Sequence, residues 1–354
     1  MEELDVLIVG QGLAGTWLSW WLQQAGLRFQ IIDESDKHSA SMRAAGLINP
    51  VTGRRMVTTW MIDELLPFAD SSYGEIGKFL DVPVAEQTRV IDFFPSVQML
   101  QSFQKRNTED SSYLHLGENR EQFSDLFRYD FGWGSIQPCM LVNVEKLLMS
   151  WRTWLKKKDL IIESVFDPIM LEYDSTGIRY ADIHARYIVF CDGVTSSRST
   201  FFDKLPFALN KGEGMLVEIG GLPIDTVYKK GMSLVPFKEN IFWLGSSYEW
   251  SFSDDLPSES FNKNARSWLD HFLKLPYKIH EHFAAIRPAT LERRPFVGFH
   301  PLHPQIGILN GFGTKGCSLA PYFAKQLTDK TLGKGEIDPL ADIRRFTRIL
   351  SITK

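Results

Sequence analysis

The stretch DVLIVGQGLAGTWLSWWLQQAG, residues 5–26, decides the fold prediction, because an apolar run stops at closely spaced glycines and an apolar helical stretch follows. Residues 4–9 are rich in β-forming side chains, and residues 15–25 carry apolar side chains at helical spacing. A second apolar run, Phe29–Ile32, has the length of a buried strand and closes at Asp33. The sequence therefore predicts a βαβ unit here.

The glycines of this stretch form the pattern Gly10-x-Gly12-x-x-Gly15 between a strand and a helix, the context of a dinucleotide-binding turn. The first glycine permits the turn, the second lets a pyrophosphate approach the backbone, and the third allows close helix packing. Asp33 lies 18 residues beyond Gly15, where an acidic side chain accepts hydrogen bonds from ribose hydroxyls. NAD and FAD both suit this turn, and the alternative is a glycine turn that serves packing only.

The length and composition of the chain exclude several classes of protein. A chain of 354 residues with 44% hydrophobic residues predicts two lobes, and a net charge of −4 gives no reason to expect nucleic-acid binding. Three cysteines without CxxC spacing, and histidines without metal-binding spacing, argue against a disulfide framework and a metal site and favour the reducing cytoplasm. We expect no secretory signal and no membrane span, because the first apolar runs are short.

Dinucleotide-type sequence occurs in three separated pieces. Residues 144–158 have a helical period, and residues 306–327 (IGILNGFGTKGCSLAPYFAKQL) again predict a strand, a glycine turn and a helix. Residues 82–140 and 206–286 alternate polar and aromatic residues, as antiparallel strands do, while residues 39–55 are interpreted as an ordered loop. An NAD domain usually continues through uninterrupted βαβ units, so the interruptions favour FAD.

Several motifs together resemble the D-amino-acid oxidase family of flavoproteins, and within it the glycine oxidase and sarcosine oxidase branch. The resemblance covers most of the chain. Besides the first glycine turn, it rests on GLINPVTG (46–53), LVNVEKLL (141–148), IVFCDGVTSSR (188–198), IRPATLERRPFVG (286–298) and NGFGTKGCSLAP (310–321).

The resemblance implies a fold of mixed α/β and α+β class. We expect a discontinuous Rossmann-like FAD-binding domain of the GR2 type and a second, mainly antiparallel-sheet substrate domain. The predicted FAD-binding domain comprises residues 1–80, 141–205 and 287–354, and the predicted substrate domain comprises residues 81–140 and 206–286.

The resemblance also implies the cofactor contacts. It places Asp192–Gly193 beside FAD, brings the backbone of Val165 to the adenine, and makes the late glycine turn a second contact at the isoalloxazine carbonyl edge, where helix-terminal amides stabilise negative charge. The complete predicted FAD-binding set is Gly10, Gly12, Leu13, Ala14, Gly15, Asp33, Glu34, Arg43, Ala44, Ala45, Gly46, Val165, Asp192, Gly193, Gly311, Gly313, Thr314, Lys315 and Gly316.

Two residues are predicted to be catalytic. Arg287 matches the family arginine that grips the substrate carboxylate, a task that suits a planar, permanently charged guanidinium; the alternative is an ion pair between the lobes. Lys315 is expected to add a full positive charge near the flavin, and the alternative is a solvated side chain on a turn.

The sequence departs from the family's substrate signature at three places. Thr314 stands where glycine oxidases carry a second arginine, Ser233 where they carry a tyrosine, and Glu292–Arg293 where the family has Asp-Gly. Glycine itself is therefore a doubtful substrate, and a larger or differently anchored amine is expected.

Other residues near these motifs have simpler interpretations. Tyr228, Tyr248 and Trp250 are candidates for pocket lining, although aromatic residues are more often core. Cys317 follows Gly316 and is interpreted as a small buried packing residue and not as a point of flavin attachment.

The expected activity is FAD-dependent oxidation of the C–N bond of an amino acid or secondary amine by hydride transfer, which gives an imine that water hydrolyses. The resemblance assigns the late glycine turn (Gly311, Gly313, Gly316) to the flavin, and we identify no further turn for a pyridine nucleotide, so oxygen or an electron carrier is the expected acceptor. Three alternatives stay open at this stage: an oxidase of a modified tRNA wobble uridine, a non-catalytic flavin-binding protein, and a plain NAD dehydrogenase.

Overall fold

A computed structural model of the chain describes residues 3–53 and 55–352. In this part the strands are β1 (Leu4–Val9), β2 (Phe29–Ile32), β3 (Leu47–Ile48), β4 (Val51–Thr52), β5 (Val57–Thr58), β6 (Ala85–Phe93), β7 (Leu114–Leu116), β8 (Trp133–Val142), β9 (Ile161–Ile162), β10 (Leu171–Tyr173), β11 (Ile178–Tyr180), β12 (Ile183–Phe190), β13 (Asn210–Ile219), β14 (Thr226–Lys230), β15 (Met232–Lys238), β16 (Ile241–Gly245), β17 (Tyr277–Arg287), β18 (Phe296–Phe299) and β19 (Ile306–Asn310). The helices are α1 (Leu13–Gln24), α2 (Ile62–Leu80), α3 (Val97–Glu109), α4 (Val144–Lys157), α5 (Glu259–Phe272), α6 (Gly316–Thr331) and α7 (Thr347–Leu350), and short 3₁₀ turns span Pro168–Met170, Gly193–Arg198 and Ile343–Phe346.

The first sheet has a parallel centre. Its strands run in the order β19, β12, β1, β2, β9, with all neighbouring pairs parallel, and β18 and the β10–β11 hairpin add antiparallel pairs at its margin. The carboxyl ends of parallel strands meet at one edge, so the turns that follow β1, β12 and β19 share that edge.

The second sheet is mainly antiparallel. Its order is β17, β13, β16, β15, β14, β6, β8, β3, with β7 also paired to β8, and the pairing of β14 with β6 is parallel. Helix α5 covers one face over an aromatic core. This mixed architecture confirms the predicted fold class.

Helices α1, α2, α4 and α6 pack together beside the first sheet. Trp17 of α1 is fully buried and meets Tyr73 of α2 edge to face, with ring centroids 4.9 Å apart. The tryptophan-rich helix of the opening stretch is therefore core, as its apolar spacing indicates.

Strong local patterns matched the structure well. Strand β1, strand β2 and the helix predicted over residues 144–158 all form, and the late strand–turn–helix appears as β19 and α6. The prediction of a plain loop over residues 39–55 is wrong, because β3 and β4 lie within it. The helices α3 and α5 also interrupt segments predicted as antiparallel strands.

The division into domains stays a prediction. Strand β3 pairs with β8 in the second sheet, although its residues fall in the segment 1–80 assigned to the cofactor domain. Residues 1–2, 54 and 353–354 of the predicted segments lie outside the described residues.

Candidate active site

The first glycine turn packs tightly against the backbone at Gly10 and Gly15. Gly10 has φ +96°, and a Cβ atom there would lie 2.7 Å from the carbonyl oxygen of Cys191. A Cβ at Gly15 would lie 1.9 Å from the Gly10 carbonyl oxygen, and one at Gly12 would lie 3.0 Å from Ser41 Oγ. Gly10 and Gly15 therefore cannot carry a side chain without a shift of the backbone, whereas a side chain at Gly12 would meet only the side chain of Ser41.

The turn opens directly into α1, whose first turn carries no acidic residue and whose start lacks a side-chain cap. Leu13 and Ala14 are buried there, and the Leu13 amide donates to Ser41 Oγ over 3.1 Å. Backbone N–H groups at such a helix start favour an anion. The turn thus fits a pyrophosphate in shape and charge.

Asp33 follows β2 and faces this turn. Its Oδ2 accepts from the Gln11 amide at 2.7 Å, and its Oδ1 accepts from Arg152 at 2.6 Å. Glu34, also predicted to bind the cofactor, is exposed. Sequence reasoning missed Arg152; the available signal was a basic residue among the buried positions of α4.

Arg43 joins the loop after β2 to the second sheet. Its NH1 lies 2.7 Å from Glu281 Oε1, its guanidinium carbon lies 5.0 Å from the centre of the Phe283 ring, and its carbonyl oxygen accepts from Trp243 Nε1 at 3.1 Å. Arg43 therefore ties the loop after β2 to the second sheet. Its predicted contact with the cofactor stays a prediction.

Gly46 is as constrained as the glycines of the first turn. It has φ +79°, and a Cβ there would lie 1.9 Å from the carbonyl oxygen of Val142. The neighbouring Ala44 and Ala45 are half-buried. The glycine brings this loop against the end of β8.

Asp192 and Gly193 follow β12 and lie beside Gly10. A Cβ atom at Gly10 would lie 3.0 Å from the Asp192 Cα. Burial raises the pKa of Asp192 to about 6, and the hydroxyl of Ser196 donates to its carboxyl group. Gly193 (φ +60°) faces open space, and its carbonyl oxygen accepts from Asn310 Nδ2 at 2.8 Å.

The late glycine turn follows β19 and touches both other parts of the site. A Cβ at Gly311 would lie 2.6 Å from Thr290 Cγ2, and one at Gly316 would lie 3.1 Å from Leu13 Cδ1. The Gly313 amide donates to the carbonyl oxygen of Pro288 at 3.1 Å. The late turn thus lies between the first turn and the residues that follow Arg287.

Lys315 immediately precedes α6 and is half-buried, whereas Thr314 is exposed. The ammonium group lies 3.3 Å from Thr59 Oγ1. Burial lowers the pKa of Lys315 to about 8, against a smaller opposite effect of Cys139. A lysine of this kind changes charge within the working range of most enzymes.

Arg287 ends β17, opposite Asn210 of β13. Its NH1 donates to Asn210 Oδ1 at 2.6 Å and to the Ser247 carbonyl oxygen at 3.2 Å. The guanidinium carbon lies 4.9 Å from the centre of the Tyr248 ring. It packs against Gly212, where a Cβ would lie 1.9 Å from NH2.

The charge of Arg287 is not neutralised by the protein. Among the residues that the structure describes, no Asp or Glu forms an ion pair with it, and burial lowers its pKa. The partners of NH1 are a neutral amide and a carbonyl group, so neither of them balances the positive charge of the guanidinium. The alternative of an ion pair between the lobes is absent from the described contacts.

Other candidates lie elsewhere. The side chain of Val165 is 68% exposed and that of Trp250 is 60% exposed. Tyr228 does not line a pocket: it is buried in the core of the second sheet, 4.9 Å from the Phe127 ring. Ser233 is half-buried in β15.

The three cysteines are free and buried. Burial raises the pKa of Cys317 to about 12, and the hydroxyl of Tyr73 donates to its carbonyl oxygen at 3.0 Å. Such a thiol is unreactive, as expected of a packing residue.

The described residues contain neither a metal-binding cluster nor a membrane-spanning helix. No group of three or more His, Cys, Asp or Glu side chains among them could hold a metal ion. None of the helices formed by residues 3–53 and 55–352 has the length and apolar character needed to cross a membrane.

Three features fit FAD: the two glycine turns, the start of α1 with its backbone N–H groups, and Asp33 after β2. The family described as FAD dependent oxidoreductase (DAO) matches residues 5–330. The chain belongs to this family. It is an FAD-dependent oxidoreductase, which confirms the predicted cofactor and excludes the NAD dehydrogenase interpretation.

Several known proteins are similar to this chain in sequence or in structure. A glycine oxidase from Bacillus subtilis (strain 168) is 29% identical over 162 residues, which span 43% of this chain and 43% of that protein. The crystal structure of glycine oxidase from Geobacillus kaustophilus superimposes with a TM-score of 0.79 at 18% identity over 100% of both chains. That of iminodiacetate oxidase from Chelativorans sp. BNC1 gives 0.76 at 17% identity, over 97% of this chain and 98% of that chain.

Proposed function

We propose that this DAO-family enzyme oxidises the C–N bond of an amino acid or secondary amine that carries a carboxylate. The observation that carries the proposal is Arg287, a half-buried guanidinium that forms no ion pair with a carboxylate among the described residues. The names of its relatives, glycine oxidase and iminodiacetate oxidase, agree with such a substrate. A protein that only binds flavin would gain nothing from an arginine whose charge is not balanced by a carboxylate among the described residues.

The residues divide the task between them. A bound FAD would supply the hydride acceptor. The Gly10 turn and Asp33 would hold its pyrophosphate and ribose, and the amides around Gly316 together with Lys315 would stabilise negative charge on the flavin. Arg287 orients the substrate by its carboxylate, and orientation is the main contribution that such chemistry needs from the protein.

The substrate is expected to be larger than glycine or anchored differently. Thr314 is exposed and supplies no second cation, and Ser233 supplies no phenol. The aromatic ring beside the guanidinium is instead Tyr248, which is 59% exposed. The approach to Arg287 is therefore covered by an aromatic side chain on one side and suits a substrate with an apolar part.

The proposal also covers the electron acceptor and the cellular compartment of the enzyme. Oxygen or an electron carrier reoxidises the cofactor in this proposal, since both glycine turns of the sequence are assigned to FAD and neither is left for a pyridine nucleotide. Three buried free thiols, Cys139, Cys191 and Cys317, agree with the reducing cytoplasm.

Asn210→Asp places a carboxylate where NH1 of Arg287 now meets an amide oxygen at 2.6 Å. The new ion pair neutralises the guanidinium, so we expect KM for the amine to rise about tenfold, which corresponds to ~1.4 kcal/mol, with the flavin spectrum unchanged. Steady-state kinetics and absorbance spectra measure both.

Asn262→Asp is the matched control for that variant. Asn262 Oδ1 also accepts from an arginine, Arg266, at 2.9 Å, but on helix α5. Equal KM values for Asn210→Asp and the unchanged enzyme would show that Arg287 does not bind the carboxylate.

The pH dependence of flavin reduction tests Lys315. Its pKa is about 8, so the side chain is charged below that pH and neutral above it. We expect the rate of flavin reduction by substrate to fall as pH rises through about 8. In Lys315→Arg, which stays charged, this step should disappear, and Lys315→Met should be slow throughout. A step at pH 8 that persists in both variants would assign it to another group.

A further inference from the structure

Arg152 is a buried arginine that joins three separate segments beneath the first glycine turn. Its side chain is 7% exposed and enters from α4. NH1 donates to Asp33 Oδ1 at 2.6 Å and to Gln11 Oε1 at 2.9 Å. The residue thus fixes both the acid after β2 and the side chain within the glycine turn.

All five donors of the Arg152 guanidinium are used. Nε and NH2 donate to Glu163 Oε1 at 3.1 and 2.9 Å, NH2 also lies 3.4 Å from the Asp33 carbonyl oxygen, and NH1 makes the two contacts above. A guanidinium has five N–H groups, so none is left for a ligand. Any effect of Arg152 on the cofactor must pass through its partners.

Asp33 retains one acceptor position. Its Oδ1 accepts from Arg152 and from the Ser35 amide at 2.8 Å, and its Oδ2 accepts from the Gln11 amide at 2.7 Å. An ionised carboxylate offers about four lone-pair sites. The remaining site is on Oδ2, the oxygen that faces the glycine turn.

We propose that Arg152 is a positioning residue for FAD. It locks the Asp33 carboxylate so that the one free acceptor site on Oδ2 receives a hydroxyl group of the adenosine ribose. This inference rests on the proposed role of Asp33. Without Arg152, the carboxylate loses its only charged partner among the described contacts and is free to rotate away from the turn.

The test is a double-mutant cycle read by FAD affinity. Apoprotein of the unchanged enzyme, Arg152→Met, Asp33→Asn and the double variant is titrated with FAD, and quenching of flavin fluorescence gives Kd. We expect each single variant to bind FAD about tenfold more weakly. The double variant should bind no more weakly than Asp33→Asn alone, because an arginine that acts through Asp33 is without effect once the carboxylate is gone.

Two further variants complete the design. Glu163→Gln keeps an acceptor for Arg152 and leaves Asp33 untouched, so its Kd should equal that of the unchanged enzyme. If Arg152→Met does not fold, as judged by circular dichroism, Arg152→Lys takes its place in the same cycle.

The outcomes separate the inference from its premise. An unchanged Kd in Asp33→Asn would contradict the ribose role of Asp33. A weakened Asp33→Asn beside an unchanged Arg152 variant, or losses that multiply in the double variant, would contradict the positioning role of Arg152 alone. Neither result bears on the proposed oxidation of amines.

Discussion

We expect Arg287→Ala to lower kcat/KM for a carboxylate-bearing amine by about 100-fold or more while flavin absorbance stays unchanged. Truncating one partner of a buried, charge-assisted pair costs about 2–5 kcal/mol, and 1.4 kcal/mol corresponds to a factor of ten. The loss should appear mainly in KM, because the carboxylate is gripped before and during the reaction. Steady-state kinetics together with the flavin spectrum measure the effect.

Arg179→Ala is the control for this variant. Arg179 lies on β11 and pairs with Glu172 on the adjacent strand, away from the glycine turns. Its removal should leave kcat/KM unchanged. Loss of bound flavin in Arg287→Ala, with normal kinetics after flavin is restored, would refute the role of Arg287 in carboxylate binding.

The second large effect is expected for Gly15→Ala. The added Cβ would lie 1.9 Å from the Gly10 carbonyl oxygen, so α1 must move away from the turn. Overpacking of this kind destabilises by about 1–3 kcal/mol, and the displaced turn no longer fits a pyrophosphate. We expect the purified variant to carry little flavin and to unfold at lower urea concentration.

Gly74→Ala is the control for Gly15→Ala, because it also adds a methyl group to a helix but at a position with free space. Gly74 lies in α2, and a Cβ there would meet nothing within 4 Å. Alanine is preferred over glycine in a helix by about 1 kcal/mol, so this variant should be slightly more stable and fully flavinated. A Gly15→Ala variant with a full complement of flavin would contradict the steric account of the turn.

Local sequence patterns were sufficient to predict the structure around the first glycine turn. Strand β1, helix α1 and strand β2 form where the apolar spacing and the glycines place them. Where a Cβ atom would collide with a carbonyl oxygen, as at Gly10 and Gly15, only glycine fits, so the constraint is visible in the sequence as a glycine. The late turn between β19 and α6 was likewise predicted from its glycines, and there a Cβ at Gly311 would lie 2.6 Å from Thr290 Cγ2.

Contacts between residues far apart in the sequence could not be predicted from these local patterns. Arg152 meets Asp33 across 119 residues, and Arg287 meets Asn210 across 77 residues. Neither pairing follows from periodicity, because only the tertiary fold brings the partners together. A basic residue within the buried positions of α4 was the one local hint.

The short strand β3 and the buried Tyr228 show the same limit. A two-residue strand has no pattern of its own and is specified by its partner, β8. For Tyr228, alternation along β14 could not tell which face of the sheet is covered by α5 and which packs in the separate core cluster that contains Val227.

Anaerobic mixing of the flavin-loaded enzyme with amino acids and secondary amines tests the central claim most directly. The account predicts that at least one carboxylate-bearing amine bleaches the flavin, that the matching amine without a carboxylate does so far more slowly, and that Arg287→Ala removes the difference. Equal bleaching with and without the carboxylate, or no bleaching by any amine, would contradict it.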